Sequence, residues 1–227
     1  MPGALEALEA RIVRCRLCPR LVAWREEVAR TRRRAYRTET YWGRPVPGFG
    51  DPDAAIVLVG LAPGAHGSNR TGRMFTGDRS GEFLFAALHR AGLATSKVST
   101  SRHDGLRLRG AFLTAAARCV PPKNKPTKEE LSNCAPFLDG ELALLSRARV
   151  LVALGEVGWN AILLHLERTG LVLPRPRPRF SHGGEWIMAK GRALIGTYHP
   201  SQQNTQTGKL TPGMIDAVLK RAVLLSR

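Results

Sequence analysis

The chain has 227 residues, with 35 lysines and arginines against 18 aspartates and glutamates, which gives a formal net charge of +17. This excess of positive charge is typical of a protein that binds a polyanion, and nucleic acid is the leading candidate. No apolar run approaches the ~20 residues that span a bilayer, and the N-terminus lacks the hydrophobic segment of a secretion signal. We therefore expect one cytoplasmic domain over residues 1–227, without membrane contact and without structural disulfides.

The N-terminal part of the chain, residues 1–34, is predicted to be helical, because aliphatic residues recur at helical spacing from Leu5 onward. Pro19 divides it into two helices, and Cys15 and Cys18 lie at the division. A Cys-x-x-Cys pair lets two thiolates reach one metal from a single turn, although a closed site needs two more ligands. The arginine-dense run 30–37 either contacts DNA phosphates or is a solvated helix end, and the sequence favours neither.

The most informative stretch is 56–78, which reads IVLVGLAPGAHGSNRTGRMFTGD. Its first four residues form an apolar run that predicts a strand buried on both faces of a parallel sheet. A glycine-rich loop follows, and an amphipathic helix begins only after Asp78. In α/β proteins such a loop lies at the carboxyl edge of the sheet, where ligands bind. The loop lacks the motifs of a P-loop and of a dinucleotide site, which disfavours a nucleotide cofactor.

This loop carries side chains that suit nucleic acid. Asn69, Arg70 and Arg73 can contact phosphates or nucleobase edges, Phe75 offers a flat apolar face, and Asp78 stands at the helix start. An aromatic face and a carboxylate beside basic groups suit a nucleotide that is flipped out of DNA. In the alternative interpretation Phe75 belongs to the core and Asp78 only caps the helix.

The other two cysteines lie in the middle of the chain. Residues 112–117 predict a second buried strand, which Cys119 follows, and Cys134 lies in the next helix, for which Thr127 and Glu130 form a capping box. Four cysteines in two separated pairs favour a closed four-thiolate site that ties the N-terminal helices to the middle of the chain. The spacing leaves zinc and iron–sulfur open, and a redox-active Cys-x-x-Cys is a weak alternative.

The C-terminal half continues the alternation of strands and helices. Residues 150–154 predict a third buried strand, and 185–197 predict either a hairpin or a turn before the last central strand, which ends before His199. With ordinary connections this strand delivers His199 to the sheet edge that carries Asp78. The alternation predicts a three-layer α/β/α sandwich. Asn124, in a proline-rich loop, is either an amide that reads a nucleobase or a turn residue.

Three motifs together resemble those of one known family. They are GLAPGAHGSNRTGRMFTGD at 60–78, RCVPPKNKPT at 118–127 and HPSQQN at 199–204, and they resemble the family 5 (type B) uracil-DNA glycosylases. The resemblance implies a central, mainly parallel four-stranded sheet and an enzyme that flips uracil out of DNA and hydrolyses its glycosidic bond. It also implies a structural four-iron four-sulfur cluster. The implied ligands are Cys15, Cys18, Cys119 and Cys134.

The resemblance also implies roles for residues of the loops. Asp78 is expected to be the general base that activates water, and His199 to support the departing nucleobase. The residues expected to bind the nucleobase are Phe75, Asn124, Ala62 and Gly64. The residues expected to contact DNA are Asn69, Arg70, Arg73, Ser201, Gln202 and Asn204. The expected partner is double-stranded DNA, with single-stranded DNA as a second substrate, and we expect a monomer that associates with the nucleoid while acting.

Two departures from related glycosylase families affect the expected specificity. This chain has Leu61 and Ala62 where related families carry Asp, Asn or Glu, and Ala115 or Ala116 where many read uracil with Asn. We therefore expect a pocket that also accepts deaminated purines such as hypoxanthine and xanthine, and no lyase activity. The alternatives are a non-catalytic protein that binds damaged or single-stranded DNA, and a metal-dependent nuclease or RNA-modifying enzyme, which lacks a carboxylate cluster.

Overall fold

A computed structural model describes residues 2–227, so Met1 lies outside the described part of the chain. The α-helices are α1 (Pro2–Val13), α2 (Pro19–Thr31), α3 (Ser68–Thr71), α4 (Arg79–Arg90), α5 (Lys128–Leu144), α6 (Glu156–Arg168), α7 (Gln202–Gln206) and α8 (Pro212–Leu225). The strands are β1 (Phe49–Gly50), β2 (Ile56–Gly60), β3 (Ala111–Ala115), β4 (Val150–Leu154), β5 (Glu185–Ile187) and β6 (Ala193–Thr197). None of the described helices combines the length and the apolar character needed to cross a bilayer.

The strands form one sheet in the order β1-β3-β2-β4-β6-β5. The four inner strands are parallel, whereas β1 and β5 pair antiparallel at the two edges. The expectation of a mainly parallel sheet is confirmed, but the sheet has six strands and not four. The edge strand β1 lacked a sequence signal because it has only two residues and forms no buried apolar run. The hairpin, one of the two alternatives expected at 185–197, is β5 paired with β6.

Helices cover both faces of the sheet. Ile56 and Leu58 of β2 pack in the core cluster that includes residues of α4 and α8, whereas Val57 and Val59 pack in the cluster with α5 and α6. This division follows from the alternation of side chains along a strand. Every residue of the four inner strands is buried, as in a sheet that is covered on both sides. The predicted three-layer α/β/α sandwich is confirmed.

The parallel strands also bring distant parts of the chain together at one edge. Gly60, at the end of β2, is in register with Ala115, at the end of β3. Leu154, at the end of β4, is in register with Thr197, at the end of β6. The loops after β2 and β6 therefore leave the same edge of the sheet, separated only by the end of β4, although they are far apart in the sequence.

The N-terminal helices are attached to the core by packing and by charge. Leu8 and Ile12 of α1 form a small apolar cluster with Phe137 of α5. Arg20 of α2 pairs with Glu130 of α5, with 2.7 Å between Nη2 and Oε2. These contacts hold the N-terminal helices against α5.

A buried ion pair joins β3 and the residues after it to α5. Arg118 and Glu141 are each 1% exposed, and their Nη2 and Oε2 atoms lie 2.8 Å apart. The Glu141 carboxylate also accepts hydrogen bonds from Thr114 and from the backbone N–H of Gly48. These hydrogen bonds satisfy the Glu141 carboxylate, as a buried charge requires.

Glu141→Ala leaves the Arg118 guanidinium unpaired in the core, so we expect the free energy of unfolding to fall by about 3–5 kcal/mol. The matched control is Asp216→Ala, which breaks the more exposed pair of Asp216 with Arg90 and should cost at most about 1 kcal/mol. Urea denaturation measures both losses. Equal losses in the two variants would contradict a structural role for the buried pair.

Candidate active site

A cavity of about 590 Å³ lies at the edge where the inner strands end. Its walls come from the loop between β2 and α4, from the turn after β6 and from the loop before α5. The predicted site residues that line it are Asp78, His199, Phe75, Asn124, Ala62, Gly64, Ser201 and Gln202. The structure therefore brings the predicted catalytic and nucleobase-binding residues into one cavity, with a volume in the usual range for ligand pockets.

Asp78 combines a helix cap with a position in the cavity wall. Its Oδ1 accepts a hydrogen bond from the backbone N–H of Gly81 at 2.9 Å, which caps α4. Its Oδ2 lies against Gly64 and Gly67, so closely that a Cβ on Gly67 would stand 1.9 Å from Oδ2. Only glycine at Gly67 leaves room for the carboxylate. The two interpretations of Asp78 are therefore compatible, because each uses a different oxygen.

Burial changes the acid–base properties of both predicted catalytic residues. It raises the pKa of the Asp78 carboxyl, which makes the carboxylate a stronger base than an exposed aspartate. It lowers the pKa of the His199 imidazole to about 4, so His199 is neutral near pH 7. A neutral imidazole can donate one ring N–H and accept at the other nitrogen.

Phe75 belongs both to the core and to the cavity wall. It is 8% exposed and packs in the core cluster below the loop. Its ring centroid lies 5.9 Å from that of His199, with 35° between the ring planes. Its backbone has a φ of +52°, and its N–H donates to Ser68 Oγ at 3.0 Å. Such a left-handed conformation is costly for an aromatic residue, so the surrounding loop must impose it.

The structure corrects the role predicted for the polar residues of the glycine-rich loop. Asn69, Arg70 and Arg73 are buried, and none of the three lines the cavity. Arg73 pairs with Asp104 at 2.6 Å, and Arg70 pairs with Glu39 and donates to the carbonyl oxygen of Gly77. The Asn69 side-chain amide donates to the backbone oxygen of Arg25 at 3.2 Å. These side chains hold the loop in shape and do not present free donors to DNA phosphates.

The predicted DNA-contact residues in the turn after β6 lie in two kinds of position, either exposed at the cavity rim or hydrogen-bonded within the turn. Gln202 and its neighbour Gln203 are exposed at the rim of the cavity. Asn204 instead donates from Nδ2 to the backbone oxygen of His199 at 2.8 Å, and the Ser201 side chain caps α7. Asn204 therefore fixes the turn that carries His199, and its predicted contact with DNA stays a prediction.

Two polar residues of the cavity wall, Arg33 and His66, were not among the predicted site residues. Nδ1 of His66 lies 3.1 Å from the hydroxyl of Tyr41. Arg33 belongs to the arginine-dense run 30–37, for which a DNA contact and a solvated helix end were equally favoured. No sequence signal connects Tyr41 with His66, because the two residues are 25 positions apart, with β1 and β2 between them.

The four cysteines line one small second cavity between α2, the residues after β3 and α5. Its lining includes Cys15, Cys18, Cys119 and Cys134. Arg25 donates to Cys119 Sγ at 3.0 Å, and the side-chain amide of Asn133 lies 3.5 Å from Cys18 Sγ. The four cysteines form no disulfide. Across residues 2–227, no three or more His, Cys, Asp or Glu side chains form a group suited to one metal ion.

The surroundings of this cavity fit an anionic thiolate-ligated group. Burial raises the pKa of the Cys119 thiol to about 12, so a thiolate there needs a positive partner. Arg25 and Arg118 are buried beside the cysteines, and the Nε atom of each lacks a hydrogen-bond partner among the described residues. The Arg25 guanidinium, which donates to Cys119, and the unused Nε–H donors of Arg25 and Arg118 suit the sulfur acceptors of an iron–sulfur centre.

Comparison with known proteins agrees with this architecture. The family model described as "Uracil DNA glycosylase superfamily" matches residues 47–222, which contain the sheet and every residue that lines the active-site cavity except Arg33. The fold and the cavity are thus those of a uracil-DNA glycosylase superfamily member. The chain is 56% identical over 221 residues to a type-5 uracil-DNA glycosylase of Thermus thermophilus, covering 97% of this chain and 98% of that protein.

Two further relatives carry the same description. A type-5 uracil-DNA glycosylase of Mycobacterium bovis is 51% identical over 225 residues, covering 99% of this chain and 82% of that protein. One of Pyrobaculum aerophilum is 48% identical over 212 residues, covering 93% of this chain and 89% of that protein. The chain therefore belongs to the type-5 uracil-DNA glycosylases.

Gly67→Ala places a methyl group where the Asp78 carboxylate now lies, so we expect glycosylase turnover to fall about a hundredfold because the carboxylate is displaced. The matched control is Gly213→Ala in the first turn of α8, where a Cβ meets no atom within 4 Å. Single-turnover rates of the two variants, with circular dichroism to verify folding, provide the measurement. A folded Gly67→Ala variant with wild-type turnover would show that the position of this carboxylate is unimportant.

Proposed function

We propose that this protein hydrolyses the N-glycosidic bond of uracil in DNA and leaves an abasic site, which starts base excision repair. The observation that carries the proposal is that Asp78 and His199 line one cavity together with Phe75. Asp78 and His199 come from the loops after β2 and β6, which are far apart in the sequence. Family membership supports the same activity. The net charge of +17 supports DNA as the substrate, because phosphate neutralisation supplies much of the affinity for DNA.

Recognition of the nucleobase requires that the nucleotide leaves the duplex, at a cost of a few kcal/mol. Gln202 and Gln203, exposed at the rim, are placed to enter the space that the nucleotide vacates. The ring of Phe75 then offers a stacking surface inside the cavity. Asn124 carries a side-chain amide, which can pair with the mixed donor and acceptor edge of uracil.

Cleavage of the bond then needs a nucleophile and support for the leaving group. Asp78 orients a water molecule and accepts its proton while the water oxygen bonds to the anomeric carbon. The electron pair of the glycosidic bond leaves with the nucleobase, which departs as an anion. Neutral His199 donates a ring N–H toward that developing charge. The raised pKa of Asp78 and the lowered pKa of His199 both suit these roles.

The non-catalytic alternative, a protein that only binds damaged or single-stranded DNA, is not favoured by the family to which the chain belongs. A nuclease is also disfavoured, because the described residues include no carboxylate cluster suited to a metal ion. We propose a monomeric, monofunctional glycosylase that acts on double-stranded and single-stranded DNA. No lysine is among the described residues that line the cavity, so a Schiff-base intermediate has no donor there.

Asp78→Asn is expected to lower uracil excision by about 10²–10⁴-fold, because the amide cannot accept the proton from water. Asparagine caps helices about as well as aspartate, so the fold of the loop and the binding of DNA should be kept. Single-turnover excision and equilibrium DNA binding are measured together, and exposed Asp53→Asn serves as a control with the same change of charge. Unchanged excision by the Asp78→Asn variant would exclude Asp78 as the general base.

The range of lesions is proposed to include hypoxanthine and xanthine besides uracil. Leu61 and Ala62, at the start of the motif at 60–78, line the cavity. Neither has a polar side chain that would select one nucleobase edge. The volume of about 590 Å³ leaves room for a purine. Excision assays on duplexes that carry each lesion are expected to detect release of all three nucleobases. Activity on uracil alone would refute the proposed breadth.

We propose that Cys15, Cys18, Cys119 and Cys134 hold a structural four-iron four-sulfur cluster. The shared cavity and the two buried guanidinium groups support this proposal. Such a cluster takes one thiolate on each iron, so its ligands need not converge on a single ion. It would supply a covalent link between the N-terminal helices and the core.

The purified protein is therefore expected to be brown and to contain iron and acid-labile sulfide. Cys119→Ser should reduce both contents and the stability of the protein, because a ligand from the core is lost. Metal analysis and visible absorption spectra provide the measurement. A colourless protein that contains stoichiometric zinc would contradict the iron–sulfur proposal and favour a zinc site.

A further inference from the structure

His66 is the side chain of the cavity whose hydrogen bonds are most constrained and whose role in the reaction is unassigned. The backbone N–H of Arg33 donates to the Tyr41 hydroxyl oxygen at 3.3 Å. The hydroxyl hydrogen then has Nδ1 of His66, 3.1 Å away, as its acceptor. The Arg33 N–H, the Tyr41 hydroxyl and Nδ1 of His66 all have partners when Nδ1 accepts the hydrogen bond and Nε2 carries the ring proton.

The Nε2–H of His66 is consequently a donor that the protein does not use. No hydrogen bond from Nε2 to another group occurs among the described residues, and the side chain lines the active-site cavity. Burial, together with the nearby Arg33 and Arg70, lowers the pKa of His66 and keeps the imidazole neutral. Tyr41 meets the ring edge-on, with 6.1 Å between the centroids, and restricts its orientation.

The charge around His66 indicates which kind of acceptor it meets. Arg70 is already paired with Glu39, but Arg33 is exposed, lines the same cavity and forms no ion pair within the described residues. The ring of His66 packs on Tyr41, whereas Phe75 and His199 pack on each other at the nucleobase site. A fixed N–H beside a free guanidinium suits an anionic phosphate oxygen better than the edge of an uncharged nucleobase.

We propose that His66, oriented by Tyr41, and Arg33 form a phosphate subsite that binds the phosphodiester next to the extruded nucleotide. This inference rests on the proposed glycosylase function. His66 and Arg33 are binding residues in this subsite, and Tyr41 is a positioning residue that acts through His66. The subsite would hold the sugar–phosphate backbone while the nucleobase occupies the cavity.

The test combines substitutions with a change of the substrate. Single-turnover excision is measured on duplexes with the normal phosphates and on duplexes with a neutral methylphosphonate at the 5′ or the 3′ side of the uracil nucleotide. Loss of a hydrogen bond to a charged group should lower the rate of the wild-type protein roughly 10- to 100-fold at one of these two linkages. His66→Leu should show a loss of similar size on the normal duplex and little further loss on the methylphosphonate.

Conservative variants separate a phosphate contact from a structural role. His66→Gln keeps an N–H donor near the position of Nε2 and should retain most of the rate, whereas His66→Asn and His66→Leu should not. Tyr41→Phe should lower the rate on the normal duplex only. His103→Leu, an exposed histidine far from these contacts in the sequence, is the matched control.

The subsite would be overturned if His66→Leu reduced the excision rate by the same factor on the normal duplex and on the methylphosphonate duplex. The effects of the substitution and of the neutral linkage would then be independent. A His66→Gln variant as slow as His66→Leu would also overturn the subsite. Failure of the proposed glycosylase function is distinguishable from failure of the phosphate subsite, because in the first case the wild-type protein would release no uracil from the normal duplex.

Discussion

The hydrogen bond from the Gly81 backbone N–H to Oδ1 of Asp78 is the interaction on which the site depends. It ends the glycine-rich loop and starts α4, whose residues Leu84 and Phe85 are fully buried against the sheet. The carboxylate is therefore held by a helix that the core itself fixes. With one oxygen used as a cap, the other is left against Gly67 at the wall of the cavity.

Burial provides much of the chemistry of this cavity. The same loss of hydration makes Asp78 more basic and keeps His199 neutral, so the two walls differ in acid–base character without a direct hydrogen bond between them. The loop that positions Asp78 is held in shape by its own cations, because Arg70 and Arg73 are paired inside the protein. Exposed arginines such as Arg33 form no part of this internal pairing.

The sequence predicted those features whose causes are local. Strands covered on both faces must be continuous apolar runs, and the capping box of Thr127 and Glu130 is present as expected because it spans one helical turn. The burial of Asn69, Arg70 and Arg73 could not be predicted, because the partners Glu39, Asp104 and the backbone oxygen of Arg25 come from other parts of the chain. The same holds for the edge strand β1, whose pairing with β3 depends on its neighbour and not on its own two residues. The roles of the active-site residues came from family resemblance more than from spacing.

The central claim is that one cavity, formed by the loops after β2 and β6, holds the extruded uridine with Asp78 facing its anomeric carbon. A crystal structure of the Asp78→Asn protein bound to a uracil-containing duplex tests it directly. We expect the uracil ring against Phe75 and within reach of His199, with residue 78 on the side of the sugar opposite the glycosidic bond. A uridine bound elsewhere, or a sugar whose anomeric carbon faces away from residue 78, would contradict the account.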